Sequence, residues 1–186
     1  FEKKFKNKFT KERYPLAVGS GTDALHLAYI LCGLKKGDEV ITTIFTCTAT
    51  NIPLLYMGIK IKFADIQPNT MNIDPLSVKK LITDKTKAIY LVHHGGNPAD
   101  LDPLRQITKK HDIVLVEDAA HAVGAEYKGK KIGANSDLAC FSFSTLKTIS
   151  TLGEGGMLVT NNDKFAELAR GFRSNFPSGY KVKRNV

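Results

Sequence analysis

The chain has 186 residues, of which 42% are apolar and 9% aromatic, a composition typical of a folded protein with one sizeable core. No apolar run approaches the roughly 18 to 20 residues that a membrane helix requires, and the lysine-rich N-terminus lacks a signal-peptide core. We therefore predict a cytoplasmic protein without a membrane partner. The three cysteines, Cys32, Cys47 and Cys140, are odd in number and widely spaced, which argues against a disulfide framework and against a metal site.

The formal net charge of +9 is concentrated at the two ends of the chain. Residues 1–13 carry six Lys or Arg against two Glu, and residues 170–186 carry five Lys or Arg and no acid, which leaves a neutral middle. A neutral body between basic ends is a poor match to a DNA-reading face, and we predict no nucleic-acid partner. Two interpretations of the ends stay open: solvated termini, or a tail that helps to hold a phosphorylated substrate.

Apolar runs of strand length alternate with helical patterns, which predicts an α/β fold with a mainly parallel sheet flanked by helices. In chain order the predicted strands are YPLAVGS, GDEVITT, IKIKFADI, TKAIYLVHH, DIVLVEDAA, LACFSF and GMLVTN. The predicted helices are GTDALHLAYILCGL, TCTATNIPLLYMG, DPLSVKKLITD, DLDPLRQITKKH and DKFAELARGF, and AEYKGKKIG is predicted as a small hairpin or loop. Continuous apolar runs such as IVLV are typical of strands that are covered on both faces.

A glycine-rich turn, Gly19 to Ala24, follows the first predicted strand and opens a helix. Glycine allows close approach of a ligand, and the N–H groups of Gly21, Thr22 and Asp23 at the positive helix end form an anion site suited to phosphate. Two alternatives stay open. The residues also fit the dinucleotide fingerprint G-x-G-x-x-A, although the second strand lacks an acid at its far end, and a capped turn that binds nothing has the same pattern.

Polar side chains also follow the predicted strand DIVLVEDAA. Acids at the carboxyl ends of parallel strands usually face a ligand crevice, and strand alternation points Asp118 and Glu117 to opposite faces, so Asp118 is our candidate. His121 follows three residues later. The alternative is structural, with acids that cap the next helix and a histidine in the core. The neighbouring His93 and His94 cannot face one way, and we expect mainly structural roles for them.

A single lysine, Lys147, lies between small and hydroxylated residues in CFSFSTLKTISTLGEGGM, a predicted tight connection between strands. A phosphate cradle, a strand-end carboxylate and this lysine are the groups that pyridoxal phosphate requires. The phosphate of this cofactor is anchored by backbone donors, its ring nitrogen stays protonated beside a carboxylate, and its aldehyde is held covalently by a lysine. The combination predicts pyridoxal phosphate as the cofactor.

The sequence resembles the DegT/DnrJ/EryC1/StrS family of sugar aminotransferases, which belongs to the fold-type I aminotransferase superfamily. The resemblance extends over essentially the whole chain, in the order SGTDALHLA, GDEVIT, TATN, FADIQPNTMNIDP, VHHGGNPADLD, EDAAHAVGA and FSFSTLKTISTLGEGGMLVTN. It implies the three-layer large domain of that fold and a homodimer whose active sites are completed by the partner subunit. The implied reaction transfers an amino group from glutamate or glutamine to a keto carbon of a nucleotide-linked deoxysugar.

The resemblance also implies roles for individual residues. Lys147 and Asp118 are expected to be catalytic, Lys147 as the lysine that holds the cofactor aldehyde and Asp118 as the partner of the ring nitrogen. His121 is expected near the 3-oxygen of the ring. The residues expected to hold the phosphate are Gly21, Thr22 and Ser142. Lysine at position 147 favours transamination, because relatives that catalyse dehydration carry histidine there.

Two departures from the family pattern are visible. Most members have an aromatic ring on the cofactor face at the position of Cys47, where this chain offers only sulfur and methyl contacts. Family members are also considerably longer, so we expect residues 1–186 to form one incomplete large domain, without the C-terminal small lobe and the extreme N-terminus. Two other functions stay open: another fold-type I reaction, such as elimination or desulfuration, and a regulatory protein that binds the cofactor or a sugar nucleotide without turnover.

Overall fold

The computed structural model describes residues 1–10 and 14–174, which are arranged around a seven-stranded sheet. Its strands are β1 Tyr14–Val18, β2 Glu39–Thr42, β3 Lys60–Phe63, β4 Thr86–Val92, β5 Val114–Asp118, β8 Leu138–Ser142 and β9 Gly156–Thr160. A separate hairpin pairs β6 Glu126–Tyr127 with β7 Lys130–Lys131. The helices are α1 Glu2–Phe5, continued by a π-helical turn over Lys6–Thr10, α2 Gly21–Leu31, α3 Thr48–Tyr56, α4 Pro75–Leu81, α5 Leu101–His111 and α6 Asp163–Ser174.

The sheet order is β1-β9-β8-β5-β4-β2-β3, and all neighbouring pairs are parallel except the two that include β9. This confirms the prediction of a mainly parallel sheet. The order excludes the dinucleotide-binding alternative for the glycine-rich turn, because β1 lies at the sheet edge and does not neighbour β2. The carboxyl ends of β1, β2, β4, β5 and β8 meet along one edge of the sheet, which is where a ligand crevice is expected.

Helices cover both faces of the sheet and complete a three-layer arrangement. On one face α2, α3 and α6 pack over side chains that include Tyr90 and Val116. On the other face α1, α4 and α5 pack over side chains that include Ile89, Leu91 and Leu115. Because both faces are covered, the consecutive residues Ile89, Tyr90 and Leu91 are all fully buried, as the apolar run AIYLV predicts.

The N-terminal segment packs against the sheet through its aromatic side chains, which the sequence pattern did not indicate. Phe5 of α1 is buried, and its ring centroid lies 5.4 Å from that of Phe141 and 5.8 Å from that of Phe143. These are ordinary separations for attractive aromatic pairs. The basic segments at 11–13 and 175–186 lie outside the described residues, and the interpretation of the tail as a phosphate-binding segment stays a prediction. Across the described residues, no helix is both long and apolar enough to span a bilayer.

Two glycines bring the N-terminus of α2 directly against the sheet. A Cβ added to Gly156, the first residue of β9, would lie 2.1 Å from the carbonyl oxygen of Ser20. A Cβ added to Gly21 would lie 2.7 Å from the Cβ of Ser142 at the end of β8. Atoms cannot approach so closely without displacement of the backbone or of a buried side chain. Because these two positions have no side chain, the first backbone N–H groups of α2 lie beside the last residue of β8 and the first residue of β9.

We expect Gly156→Ala to destabilise the fold by about 2–3 kcal/mol, because the added methyl group must push α2 away from β9. Gly153→Ala is the matched control, since among the described residues only the chain neighbours of Gly153 lie within 4 Å of a Cβ added there. Urea unfolding of both variants measures the difference. Equal midpoints for the two variants would contradict the close contact between α2 and β9.

Candidate active site

A cleft opens at the sheet edge where the parallel strands end. It consists of two adjoining cavities of about 270 Å³ and about 220 Å³, and the residues that line both are Cys47, Asp118, Ala120 and Lys147. The first cavity is also lined by Phe45, His94 and His121, and the second by Gly21, Thr22 and Ser142. The structure therefore brings all six residues selected from the sequence into one cleft. The roles assigned to them stay predictions.

The second cavity ends at the N-terminus of α2. Ser20 is the N-cap residue, and its Oγ accepts a hydrogen bond from the backbone N–H of Asp23 at 3.0 Å. The expectation that the N–H of Asp23 belongs to the anion site is therefore wrong, because the helix cap uses it. Within the described residues, no acceptor is bonded to the N–H of Gly21 or of Thr22. Both groups are therefore available to an anion at the positive end of the helix, and the side chain of Ser142, which is 5% exposed, lines the same cavity.

Asp118 ends β5, and the residue is only 4% exposed. Its Oδ2 accepts a hydrogen bond from the Thr50 hydroxyl at 2.8 Å, and its Oδ1 accepts one from the backbone N–H of Ala120 at 3.1 Å. Burial raises the pKa of Asp118 above its ordinary value, and the hydrogen bonds from Thr50 and Ala120 act against that rise. The carboxylate is thus held in a fixed orientation at the junction of the two cavities.

A chain of hydroxyl groups supports Asp118, and sequence reasoning did not find it. The Thr50 hydroxyl also lies 2.8 Å from the hydroxyl of Thr46. Because Thr50 donates its single hydroxyl hydrogen to the Asp118 carboxylate, Thr46 is the donor to Thr50. The sequence signal for this chain was two threonines four residues apart at the start of a helix that follows a parallel strand. Such a pattern is too common to identify a site.

Glu117 points to the opposite face from Asp118, as strand alternation predicts. It is fully buried, accepts a hydrogen bond from Arg105 Nη2 at 3.2 Å and lies 3.2 Å from His93 Nε2. His93 Nδ1 accepts a hydrogen bond from the N–H of Ala99, so a neutral ring carries its proton on Nε2 and donates it to Glu117. The structural role expected for His93 agrees with this arrangement.

Lys147 lies in the loop between β8 and β9, and its Nζ is 2.8 Å from Nε2 of His121. Partial burial, followed by the nearby charge of Lys147, lowers the pKa of His121 below its ordinary value of 6.5. At neutral pH the His121 ring is therefore uncharged and accepts a hydrogen bond from the lysine amine. The backbone N–H of Lys147 donates to the carbonyl of Ser144 at 2.9 Å, a turn that directs the side chain into the cleft.

We expect His121 to titrate below 6.5 in the folded protein, and replacement of its charged neighbour, Lys147→Met, to move the midpoint upward. Since the folded ring binds its proton more weakly than the unfolded chain does, this group makes the protein less stable as pH falls through 6.5. NMR titration of the histidine rings measures the midpoint. His111, which lies outside the cleft at the end of α5, serves as the internal control. An unchanged His121 midpoint in Lys147→Met would contradict the contact.

The two adjacent histidines have different surroundings in the structure. Whereas His93 is buried, His94 is half-buried and lines the first cavity. The ring centroid of His94 lies 4.6 Å from that of Phe45, and the two ring planes are inclined by 38°. Neither His94 nor Phe45 was selected as a site residue from the sequence. The two rings come into contact because the β2–α3 and β4–α5 connections meet, and no local sequence pattern predicts that contact.

Cys47 is the N-cap residue of α3, is exposed, and lines both cavities. The residue therefore lies in the predicted site, at the position where the family resemblance implies an aromatic ring. A persulfide-forming cysteine is expected on an exposed, mobile loop. Cys47 is exposed at the start of a helix, so the desulfuration alternative stays open.

The three-layer fold, with a lysine and a carboxylate in the cleft at the sheet edge, is that of the aminotransferase fold class. The DesV protein of S. venezuelae, solved in complex with a ketimine intermediate, matches with a TM-score of 0.90 and 37% identity over 100% of this chain and 49% of its own. The family model for the DegT/DnrJ/EryC1/StrS aminotransferase family matches residues 1–184. The chain belongs to this family.

Two curated relatives are named for different functions, one as a synthase and one as a regulatory protein. GDP-perosamine synthase of Caulobacter vibrioides is 42% identical over 170 residues, which are 91% of this chain and 45% of the relative. A pleiotropic regulatory protein of Geobacillus stearothermophilus is 43% identical over 165 residues, which are 89% of this chain and 44% of the relative. The chain thus spans about half the length of the relatives that it matches.

Proposed function

We propose that this chain is the cofactor-binding large domain of a pyridoxal-phosphate-dependent aminotransferase. The proposed reaction moves an amino group from glutamate or glutamine to a keto carbon of a nucleotide-linked deoxysugar. The observation that supports it most directly is the position of Lys147, whose amine lies in one cleft with the Asp118 carboxylate and the N-terminus of α2. A nucleotide-linked sugar as acceptor is supported by the similarity to GDP-perosamine synthase of Caulobacter vibrioides.

The described residues fit the chemical groups of pyridoxal phosphate. The N–H groups of Gly21 and Thr22, with the Ser142 hydroxyl, suit its phosphate, and the lack of a Cβ at Gly21 lets Ser142 pack directly beside this end of the helix. Asp118 suits a protonated ring nitrogen, and Lys147 suits an aldehyde. When bound, this cofactor supplies an electron sink for the carbon that loses or gains the amino group.

In this proposal Lys147 moves the proton of the reaction. Once its Nζ is free of the aldehyde and unprotonated, Lys147 would take a proton from the α-carbon of the amino donor and later return one, acting as base and then as acid. His121, neutral and 2.8 Å away, accepts a hydrogen bond from the amine and holds it at the junction of the cavities. Asp118 stabilises positive charge on the ring nitrogen in a site of low dielectric, and the Thr46–Thr50 hydroxyl chain fixes its orientation.

The test is transfer of label. The full-length protein is incubated with glutamate or glutamine that carries a labelled amino group and with a keto-sugar nucleotide, and the sugar product is analysed for the label. Label in the sugar supports the enzyme proposal. Borohydride reduction followed by peptide mapping then identifies the lysine that holds the cofactor.

A second candidate function is regulatory: the protein binds the cofactor or a sugar nucleotide without turnover. It is favoured by the 43% identity to the pleiotropic regulatory protein of Geobacillus stearothermophilus. The same experiment separates the two candidates. Saturable binding of a sugar nucleotide without transfer of label supports the regulator and contradicts the aminotransferase.

We further propose that the protein is a cytoplasmic homodimer. Ile44 lines the first cavity and is 74% exposed, and two leucines in the β8–β9 loop that carries Lys147 are also highly exposed, Leu146 at 91% and Leu152 at 98%. Exposed apolar residues in one region are typical of an interaction surface, and a second copy of the chain would cover them. We expect light scattering to give the mass of two chains and Leu146→Asp to shift the protein toward monomer. Leu76→Asp, at a residue of α4 that is 70% exposed, is the control. A monomeric wild type would contradict the dimer.

A further inference from the structure

The first cavity contains a pair of aromatic rings to which the proposed mechanism gives no role. The rings of Phe45 and His94 lie 4.6 Å apart and are inclined by 38°, within the range of attractive aromatic pairs. Phe45 is 42% exposed although it is large and apolar. Both residues line the cavity that also contains Asp118, His121 and Lys147. An apolar ring left open toward such a cavity gains free energy when another flat group covers it.

Buried contacts fix the backbone at His94. Asn72, which is 1% exposed, accepts a hydrogen bond from the N–H of His94 at 2.9 Å and donates one to the carbonyl of Asn97 at 3.1 Å. Gly96 closes the turn with a φ of +86°, and a Cβ added there would lie 2.7 Å from the carbonyl oxygen of His121. The turn is therefore held against the peptide that carries His121, and the His94 ring has a defined place in the cavity wall.

The His94 ring has no hydrogen-bond partner among the described residues. A half-buried imidazole whose nitrogens are not bonded to protein, and which packs on a phenyl ring, presents one face or edge to whatever fills the cavity. This distinguishes it from His93, whose two nitrogens both bond within the protein.

The residue at position 47 offers no ring against which an aromatic cofactor could pack, so the Phe45–His94 pair can take that role. Cys47 lines both cavities but has no ring, so it provides little flat surface for an aromatic cofactor. Phe45 lies two residues earlier in the same β2–α3 connection, and His94 reaches the cavity from the end of β4. Among the described residues that line the first cavity, the Phe45 and His94 rings are thus supplied by two connections that converge, in addition to the ring of His121, whereas residue 47 supplies none.

We propose that the Phe45–His94 pair is the aromatic wall of the cofactor cavity, with both rings in contact with pyridoxal phosphate and each ring held in place by the other. This inference rests on the proposed function, because it requires that the cofactor binds in this cleft. It assigns the stacking surface to a pair of rings that the β2–α3 and β4–α5 connections bring together.

The test measures binding of pyridoxal phosphate and of pyridoxamine phosphate to the full-length protein by equilibrium dialysis, together with the visible absorption of the bound cofactor. We expect His94→Ala and Phe45→Ala each to weaken binding by about 3- to 10-fold, the range that one aromatic contact contributes. His94→Phe, which keeps a ring and loses the nitrogens, should bind almost as the wild type does. Adding Cys47→Phe to His94→Ala should restore most of the lost affinity, because residue 47 lines the same cavity and the substitution supplies a ring there.

The controls and outcomes separate this inference from the proposed function. His111→Ala removes a histidine outside the cleft and should leave binding unchanged, and thermal unfolding of each variant shows that it is folded. If the wild type binds the cofactor and His94→Ala and Phe45→Ala bind it equally well, the ring-pair inference is wrong and the proposed function stands. If His94→Phe is as weak as His94→Ala, hydrogen bonding and not stacking is the role of His94, which also overturns the inference. If the wild type itself does not bind pyridoxal phosphate, both proposals are wrong.

Discussion

Lys147→Ala is expected to eliminate covalent attachment of pyridoxal phosphate and to reduce amine transfer by about 10⁴-fold, the upper range for loss of a positioned acid–base group. The reason is geometric. The Lys147 amine lies 2.8 Å from His121 Nε2, in a cavity whose wall also contains Asp118. No other lysine lines either of the two adjoining cavities among the described residues, so no neighbouring amine can replace it.

The measurement for Lys147→Ala has two parts. Borohydride reduction and mass spectrometry should show the cofactor adduct on the peptide that contains Lys147 in the wild type, and no adduct in the variant. Transfer of labelled amine should be lost in parallel. Lys130→Ala, at an exposed lysine of the β6–β7 hairpin, is the matched control and should behave as the wild type does. An adduct on a different lysine would remove the basis for the proposed function.

Asp118→Asn is expected to reduce turnover by about 100-fold or more while the protein stays folded. An amide carries no charge and cannot hold a proton on the cofactor's ring nitrogen. Its oxygen can still accept from the N–H of Ala120, and its NH₂ group can donate to the hydroxyl of Thr50, which turns to accept it. The buried site therefore keeps its hydrogen bonds after the substitution.

The stability of Asp118→Asn provides an independent check. Burial raises the pKa of Asp118 above its ordinary value of 3.8, so the ionised group costs folding free energy as pH rises through the folded pKa. Removal of the charge should leave the free energy of unfolding at neutral pH unchanged or increased. Urea unfolding and label transfer, measured on the same preparation, test both expectations. Asp84→Asn, at an exposed aspartate outside the cleft, is the control. Full turnover by Asp118→Asn would exclude Asp118 as the ring-nitrogen partner.

Much of the fold follows from short-range patterns in the sequence. The alternation of apolar runs with helical periods predicts the strands and helices in their observed order, because each run must be covered and each helix has one apolar side. Strand alternation correctly separates Asp118 from Glu117. The packing of Phe5 on Phe141 was not predicted, because the lysine-rich N-terminus has no strong local signal and its helix depends on contacts with the sheet.

Some residues of the cleft could be predicted from the sequence and others could not. Gly21, Asp118 and Lys147 could be selected because the three runs that contain them together match the groups that pyridoxal phosphate requires. Thr50 and His94 could not be selected in this way, since a threonine at the start of a helix and a histidine at the end of a strand have many ordinary functions. Their importance depends on neighbours that are distant in the sequence: the Thr50 hydroxyl bonds to Asp118, and the His94 ring packs on Phe45.

The amino-acid sequence alone determined the succession of elements, the family pattern and the set of candidate site residues, because these depend on residue type and on spacing along the chain. The tertiary structure decided which of those groups meet. It places β1 at the sheet edge beside β9, sets α2 directly against Gly156, and joins the ends of five parallel strands into one cleft. Contacts between residues far apart in the chain depend on how whole layers pack, and packing is a property of the folded molecule that no local run of residues contains.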